Sequence, residues 1–403
     1  MKRRLLHSIA FVGVLSLPLL QTLTGLVPER KLGGVEDPPP PLEASVAAWH
    51  DGRLPAAMGG WFESHLGLRG WMIRVDNQLR EWLFGETRRP VVRGSDGWLF
   101  AGDYLPGCDL AVDEKQKALL LRVRNLSRMQ ALLAEHGVQV MLVVSPSKTR
   151  LFAEHLPADQ QAVVRDTTLP TYYEFVAPFL RESGVAWIDG PSRFRQWRQE
   201  GRTFPLFARG GAHWSAYASA ETARLLLDRL RAEGVPARSC TIHVDGYSER
   251  PQGMENDLAA MANVFDELRY FEPTPIPRIE VRDGDTGRPL RILAEGTSFG
   301  WGLMDMLSQH DIAVPLSYLY YLYTRHDYID GKKQPKRAKA WQASGDLRQE
   351  LLDNDVILFE INERMLPAMG HGMIEAALLL FGQVPQTELD DGMRDYMRRH
   401  GRR

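Results

Sequence analysis

The chain has 403 residues, of which 44% are hydrophobic, so it can bury one large core or two ordinary ones. Its 49 basic and 51 acidic residues give a formal net charge of -2, and no global field attracts nucleic acid. We therefore expect no nucleic-acid partner. The ten Trp and twelve Tyr weakly favour a carbohydrate ligand, because aromatic rings stack on sugars.

The N-terminus carries the clearest single signal. Three cations at positions 2–4 precede an apolar stretch that runs to about Val27, so the chain that follows is predicted to be exported. No small-residue cleavage site precedes Pro28, which favours an uncleaved signal anchor over residues 1–27, with a cleaved signal peptide as the alternative. Residues 28–43 contain four consecutive prolines and are predicted to form an extended linker.

The remaining pattern alternates between helices and strands. Helices are predicted over residues 115–135, 170–183 and 215–233, and strands over residues 138–144, 185–189, 291–294 and 356–361. This alternation is typical of an α/β fold with a mostly parallel sheet covered on both faces. We expect one domain over residues 44–385, interrupted by an insertion or small β region at 241–288 and followed by a charged tail at 386–403.

In a parallel sheet, reactive groups gather where the strands end. Ser298 follows a short strand and a glycine, so it is either a nucleophile exposed on a turn or the cap of the next helix. His213 opens a long helix after two glycines, and it is either the base that activates a serine or a histidine bonded to backbone. Lys148 follows the most apolar strand, where it either places a positive charge near a substrate or is a solvated loop lysine.

Aromatic residues offer weaker candidates for substrate contacts. Trp214 adjoins His213, and the stretch from Tyr318 to Tyr323 either packs in the core or places one or two tyrosines, Tyr323 among them, at a sugar site. The two cysteines, Cys108 and Cys240, can pair or remain free. No paired spacing of Cys and His predicts a metal site, and no motif predicts a cofactor.

The order of these segments resembles the AlgJ and AlgX family of SGNH hydrolase-like proteins, which O-acetylate exported polysaccharides such as alginate. The resemblance covers residues 60–370, and the length of the chain is more similar to AlgJ. It is carried by FESHLGLRGWMIRVDN (62–77), GSDGWLF (94–100), Pro146 with Lys148, AHWS (212–215), GTSF (296–299) and EINER (360–364).

The resemblance implies a three-layer α/β/α SGNH-like core behind an inner-membrane anchor, with the globular part in the periplasm. It implies Ser298 as the nucleophile and His213 as the base. The expected partners are an exported polysaccharide as acceptor and a membrane-bound O-acyltransferase as the source of acetyl groups. Polar residues after the last strand, from Glu360 to Arg364, are expected to join the loops of the cleft by ion pairs.

One position departs from the family pattern, because Gly211 stands where an Asp-x-His-Trp motif has its aspartate. Three interpretations follow. The protein can work with a Ser-His dyad, it can use an acid from elsewhere, with Glu295, Glu360 and Asp327 as candidates by position, or it can have lost catalysis. The leading hypothesis is a polysaccharide O-acetyltransferase or an accessory to one. The alternatives are a polysaccharide-binding scaffold and an acetylesterase.

Overall fold

The computed structural model describes residues 2–34, 44–201, 204–282, 285–329, 331–337 and 346–383. The helices are α1 (Lys2–Thr24), α2 (Val46–His50), α3 (Arg53–His65), α4 (Arg69–Phe84), α5 (Asp113–Ala134), α6 (Lys148–Leu151), α7 (Ala158–Asp166), α8 (Tyr172–Glu182), α9 (Gly190–Gln199), α10 (Ala216–Ala232), α11 (Asp257–Ala262), α12 (Gly300–Leu307), α13 (Asp346–Leu352) and α14 (Met373–Leu380). The strands are β1 (Val91–Arg93), β2 (Leu99–Ala101), β3 (Gln139–Ser145), β4 (Trp187–Asp189), β5 (Cys240–Ser248), β6 (Thr274–Val281), β7 (Leu290–Gly296), β8 (Ala313–Tyr320), β9 (Thr324–Ile329), β10 (Lys332–Arg337) and β11 (Val356–Asn362).

Within the described residues, the central sheet has seven strands in the order β10-β9-β8-β7-β11-β3-β4. The five strands β8, β7, β11, β3 and β4 are parallel to one another. At one edge, β9 pairs antiparallel with β8, and β10 pairs antiparallel with β9. The predicted α/β class with a mostly parallel sheet is therefore confirmed. The antiparallel edge was not predicted, and it arises because the chain reverses in a tight turn directly after Tyr320.

Helices cover both faces of the sheet. Met141 and Val143 of β3 point into a core shared with α9, α10 and α12. Their neighbours Leu142 and Val144 point into the opposite core, which α5, α8, α13 and α14 close. Successive residues of a strand point to opposite faces, so a strand covered on both sides has to be apolar throughout, as the run in β3 is. These are the three predicted layers.

The first helix lies outside both cores. It includes the segment Leu5–Thr24, which is long and apolar enough to cross a membrane and is almost entirely exposed. Part of the predicted linker then contacts the globular part instead of standing free, because Asn263 accepts a hydrogen bond from the Gly33 N–H at 2.8 Å and donates one to its carbonyl at 3.1 Å. Residues 35–43, with the proline run, and the predicted tail at 386–403 lie outside the described residues.

The segment 241–288, expected to be an insertion or a small β region, contains a two-stranded sheet separate from the central one. Strands β5 and β6 pair antiparallel, and the short helix α11 lies in the connection between them. Strand β5 begins at Cys240, which is buried, whereas Cys108 is exposed, and both are free thiols. Strand β6 packs on α10, the helix that follows His213. This places the insertion beside the loop that carries the predicted base.

Candidate active site

The turn after β7 presents Ser298 at the carboxyl end of the sheet. Strand β7 ends at Gly296, and α12 begins at Gly300, so only three residues connect strand and helix. The buried Tyr318 hydroxyl of the neighbouring strand donates to the Thr297 carbonyl and holds the turn against the sheet. Ser298 itself is half-buried, so its hydroxyl remains reachable.

Three side chains form one hydrogen-bonded chain at this turn. His213 Nε2 lies 2.7 Å from Ser298 Oγ, and His213 Nδ1 lies 2.8 Å from Asp257 Oδ2. A carboxylate can only accept at Nδ1, so the neutral imidazole carries its proton there and leaves Nε2 free to accept the serine proton. The structure therefore brings together the two residues that the sequence singled out, and it adds an aspartate.

Asp257 is held in place by backbone donors. It is the first residue of α11, and its Oδ1 accepts the N–H groups of Ala212 and Leu258, each at 2.8 Å. Its other oxygen, Oδ2, is thereby directed at the imidazole. Sequence reasoning missed Asp257 because it lies 44 residues after His213, in a segment with no motif around it. The sequence signal that could have indicated Asp257 was its place as an acidic residue at the start of a short helix.

The glycine at position 211 has a steric reason. A Cβ built on Gly211 would lie 2.5 Å from the Met254 carbonyl oxygen and 2.9 Å from the Glu255 Cα. The chain that leads to Asp257 thus passes through the space that a side chain at position 211 would fill. Gly211 is not a lost catalytic residue in this geometry, because the acid arrives from the opposite segment and needs that space.

None of the three acids suggested by position reaches His213. Glu295 hydrogen-bonds to His371 Nδ1 at 2.6 Å, and Asp327 accepts from Ser317 at 2.7 Å. Glu360 accepts from Ser145 Oγ at 2.6 Å. Those suggestions were wrong because position along the sheet does not show which way a strand side chain points or what it bonds.

Glu360 instead joins the ends of three strands. Its carboxylate accepts from Ser145 of β3 and from both the N–H and the hydroxyl of Thr297, at 2.9 and 2.7 Å. Burial raises the pKa of Glu360, and these hydrogen bonds oppose the rise. Glu363 accepts from the Ser147 N–H at 2.6 Å in the same way. We expected ion pairs to join the loops of the cleft. At Glu360 and Glu363 the loops are joined by hydrogen bonds instead.

Lys148 lies inside the protein rather than at a substrate site. Its Nζ donates to the carbonyls of Leu99, Ala208, Arg209 and Gly211 at 2.6–2.9 Å, and it also lies 4.9 Å from the centre of the Trp98 ring. Burial lowers the pKa of Lys148 to about 7. Three of the four carbonyls belong to the loop that ends at His213, so Lys148 fixes that loop. The predicted contact with substrate is replaced by a positioning role.

Of the two aromatic candidates, Trp214 lies in the core and Tyr323 on an exposed turn. Trp214 is 1% exposed and packs between Phe194 and Phe299, with ring centroids 5.8 Å apart in each case, so it belongs to the core. Tyr323 is 81% exposed on the turn between β8 and β9, and it has no contact with Ser298 among those described. A substrate contact at Tyr323 remains a prediction.

A different tyrosine of the same stretch lies beside the serine. The Tyr321 hydroxyl donates to Met365 Sδ at 3.8 Å. Burial raises the pKa of Tyr321 to about 12, and the nearby Ser298 opposes part of this rise. Its backbone is left-handed, with φ of 48°, and its N–H donates to the Gly296 carbonyl at 2.9 Å. This turn directs the ring back over the end of β7. The alternation of residues along the strand could not predict the position of the Tyr321 ring, because β8 ends at Tyr320 and the next residue leaves the strand conformation.

Among the described residues, no group of three or more His, Cys, Asp or Glu side chains has an arrangement that could hold a metal ion. The contacts of Ser298, His213 and Asp257 have the arrangement of a serine nucleophile with a histidine base and an orienting carboxylate.

Comparison with known proteins gives a consistent result. A family model described as "SGNH hydrolase-like domain, acetyltransferase AlgX" matches residues 91–295, just over half of the chain. Two proteins named "Probable alginate O-acetylase AlgJ", from Pseudomonas aeruginosa and Azotobacter vinelandii, are 28% identical over 257 residues and 27% identical over 201 residues. These alignments cover 62% and 48% of this chain, but only 60% and 47% of the two relatives.

Solved structures show similarity at low sequence identity. The O-acetyltransferase domain of Pseudomonas putida AlgJ aligns with a TM-score of 0.46 and 18% identity, over 69% of this chain and 92% of that one. Pseudomonas aeruginosa AlgX aligns with a TM-score of 0.45 and 17% identity, over 72% and 67% of the two chains. Together with the family match, the described sheet and layers confirm the SGNH-like fold that was predicted.

Replacing Gly211 with aspartate, which would recreate the sequence motif, is expected to destabilise the protein by about 1–3 kcal/mol, because the new side chain displaces the Met254–Glu255 backbone. Thermal unfolding measures this loss. Gly59→Ala is the matched control, since a Cβ at Gly59 meets no atom within 4 Å. A Gly211→Asp protein as stable as the unchanged one would contradict the steric explanation.

Replacing Lys148 with methionine is expected to destabilise the protein by about 3–5 kcal/mol, because four buried carbonyl groups lose their donor. Urea unfolding measures the loss, and Lys117→Met, at an exposed lysine of α5, is the control and should change little. Unchanged stability combined with weaker substrate binding would instead support the substrate contact predicted from the sequence.

The raised pKa of the buried Glu295 leads us to expect that the stability of the protein depends on pH. Burial raises the pKa of Glu295 to about 7 from 4.5, so the folded state holds the proton more tightly than the unfolded state. Relative to a Glu295→Gln variant, the unchanged protein should lose up to about 3 kcal/mol of unfolding free energy as pH rises from about 4.5 to about 7. Denaturant unfolding across this range tests the difference. Glu86→Gln changes an exposed residue, so its unfolding free energy should vary with pH in the same way as that of the unchanged protein. Parallel curves for Glu295→Gln would refute the prediction.

Proposed function

Because the chain belongs to the SGNH hydrolase-like AlgX acetyltransferase family, we propose that it transfers acetyl groups to an exported polysaccharide through an acetyl-serine at Ser298. The observation that carries this proposal is the hydrogen-bonded chain from Ser298 through His213 to Asp257. The relatives are named alginate O-acetylases, which supports a polysaccharide as acceptor. The chain spans less than two thirds of the length of these relatives, so the acceptor is part of the proposal.

In the first half-reaction, Ser298 Oγ attacks the carbonyl carbon of the acetyl donor while His213 Nε2 takes the serine proton. The imidazolium that forms is stabilised by the Asp257 carboxylate at 2.8 Å. The leaving group of the donor departs with the proton from His213, and the acetyl group stays on Ser298. The geometry supports this step, since the Oγ–Nε2 distance of 2.7 Å allows direct proton transfer.

The tetrahedral intermediate needs donors for its negative oxygen. Two groups near Ser298 are candidates, its own backbone N–H and the Tyr321 hydroxyl, which donates to Met365 Sδ at 3.8 Å when no substrate is bound. A tyrosine phenol is protonated at neutral pH, so the Tyr321 hydroxyl can donate to the negative oxygen in place of Met365. We assign these two groups to the oxyanion site.

In the second half-reaction, His213 deprotonates a sugar hydroxyl, which attacks the acetyl-serine and restores the free Ser298 hydroxyl. Water in place of the sugar would make the protein an acetylesterase, with the same residues in the same roles. The relatives' names favour transfer. The non-catalytic scaffold was suggested by the glycine at position 211, and Asp257 removes that reason, since a carboxylate is present at the imidazole.

The proposed location follows from the first helix. Its cations at positions 2–4 favour a cytoplasmic N-terminus, which would put the catalytic domain in the periplasm and the anchor in the inner membrane. Polysaccharide acetylation outside the cytoplasm requires acetyl groups to cross the membrane. A membrane-bound O-acyltransferase is the proposed partner that delivers them.

The purified protein should release acetate from 4-nitrophenyl acetate, and Ser298→Ala should abolish release because the nucleophile is gone. Asp257→Asn should lower kcat by about 10⁴-fold, as loss of the orienting acid does in other serine triads. Asp327→Asn is the control, because that acid bonds Ser317 and Arg325 instead of His213. Mass spectrometry of the intact protein during turnover should detect one added acetyl group, absent in Ser298→Ala.

Adding a soluble oligosaccharide separates transfer from hydrolysis, since transfer forms an O-acetyl ester on the sugar whereas hydrolysis releases acetate into solution. Release of free acetate alone would favour the esterase. A folded protein with neither ester cleavage nor an acetylated state would contradict the catalytic proposal. Activity that survives Asp257→Asn unchanged would contradict the triad.

A further inference from the structure

Helix α4 is apolar on the side that faces outward. Met72 is 41% exposed, Val75 47%, Leu79 46% and Trp82 68%. These positions recur every three or four residues, so they form one stripe along the helix, called here the outer stripe. A surface helix normally turns its apolar stripe towards the core and its polar side to water, so this arrangement is inverted.

Helix α4 cannot rotate to bury its outer stripe, because its inner side is held by buried polar residues. It carries four buried polar residues, Arg74, Asn77, Gln78 and Glu81. Each of them hydrogen-bonds to the segment 262–270. Rotation of the helix would leave these buried groups without partners, which costs more than the exposure of an apolar stripe. The outer stripe is therefore permanently directed away from the domain.

The start of α4 is fastened to the end of the first helix. Thr22 Oγ1 accepts from the Gly67 N–H at 2.8 Å, just before α4 begins. Trp71 Nε1 donates to the Pro28 carbonyl at 3.2 Å. The apolar segment Leu5–Thr24 of α1 spans about 30 Å, the thickness of a hydrocarbon core. A membrane crossed by α1 would therefore end at the level where α4 starts.

We propose that the outer stripe of α4 lies in the lipid surface of the membrane that α1 crosses. The stripe ends in Trp82, and tryptophan is enriched where hydrocarbon meets water. Its charged edge, the ion pair between Asp76 and Arg80, would remain at headgroup level. The bilayer is the one surface that the attachment of α1 brings to this position, whereas a protein partner would have to be recruited to it.

The charges near the attachment agree with a lipid surface. A cavity of about 350 Å³ lies where α1 meets the loop before α4, and both basic residues (Arg30, Lys31, Arg69) and the acidic Glu29 line it. Charged side chains of both signs suit the headgroup level, where water and polar lipid groups can solvate them. The proposal rests on α1 as a membrane helix and not on acetyl transfer, so either can fail without the other.

Spin labels on the full-length protein test the proposal. A nitroxide is attached at Leu79→Cys or, as matched control, at Arg80→Cys, both in a Cys108→Ser background in which Cys240 is buried. The protein is reconstituted in vesicles of phosphatidylethanolamine and phosphatidylglycerol, with no other protein present. The label at Leu79 should be accessible to oxygen and several-fold less accessible to a water-soluble nickel chelate than the label at Arg80. Unchanged melting temperatures establish that the labelled proteins are folded.

Equal access of the nickel chelate to both labels would overturn the proposal, because the stripe would then face water and await a protein partner. Shielding that disappears when the protein is diluted below one chain per vesicle would also overturn it, in favour of a second copy. Ester cleavage measured on the same samples reports on the active site separately, since neither labelled position touches it.

Discussion

The hydrogen bond between Asp257 and His213 joins two parts of the chain that the fold could otherwise have left independent. His213 belongs to the loop before α10, and Asp257 opens a short helix inside the small β region. The carboxylate also accepts the Ala212 N–H, so acid and base share their backbone support. The close approach of the two segments leaves no space for a side chain at Gly211. The acid, the base and that glycine therefore form one unit.

Ser298, the proposed nucleophile, is positioned by a different set of buried polar groups. Glu360 and Tyr318 hold Thr297, the residue before Ser298, from two neighbouring strands. On the other side, Lys148 holds the carbonyls of the histidine loop. Each of these groups is buried and would be costly without its partners, so each loop has a single favourable arrangement. The positions of Ser298 and His213 thus depend on buried residues that hydrogen-bond to the backbone of the two loops.

Sequence reasoning reached the parts of the molecule that depend on local pattern. The apolar run of β3 and the glycine turn that places Ser298 at a strand end follow from spacing. His213 was also expected at a strand end, but it lies in the loop between α9 and α10. Sequence reasoning failed where function depends on contacts between distant segments. Asp257 is recognisable only once the chain folds back past Gly211, and Lys148 looks like a loop lysine until four carbonyls surround it.

The polar side of α4 connects this site to the proposed membrane surface. The segment 262–270, which α4 binds through four buried side chains, begins at the last residue of α11, the helix that Asp257 opens. Only a few residues therefore separate Asp257, the proposed orienting acid, from the hydrogen bonds that fix α4. A membrane-seated α4 would hold the cleft at a constant height and orientation above the bilayer. This is a useful constraint for an enzyme whose proposed acetyl source lies in the membrane and whose acceptor lies outside it.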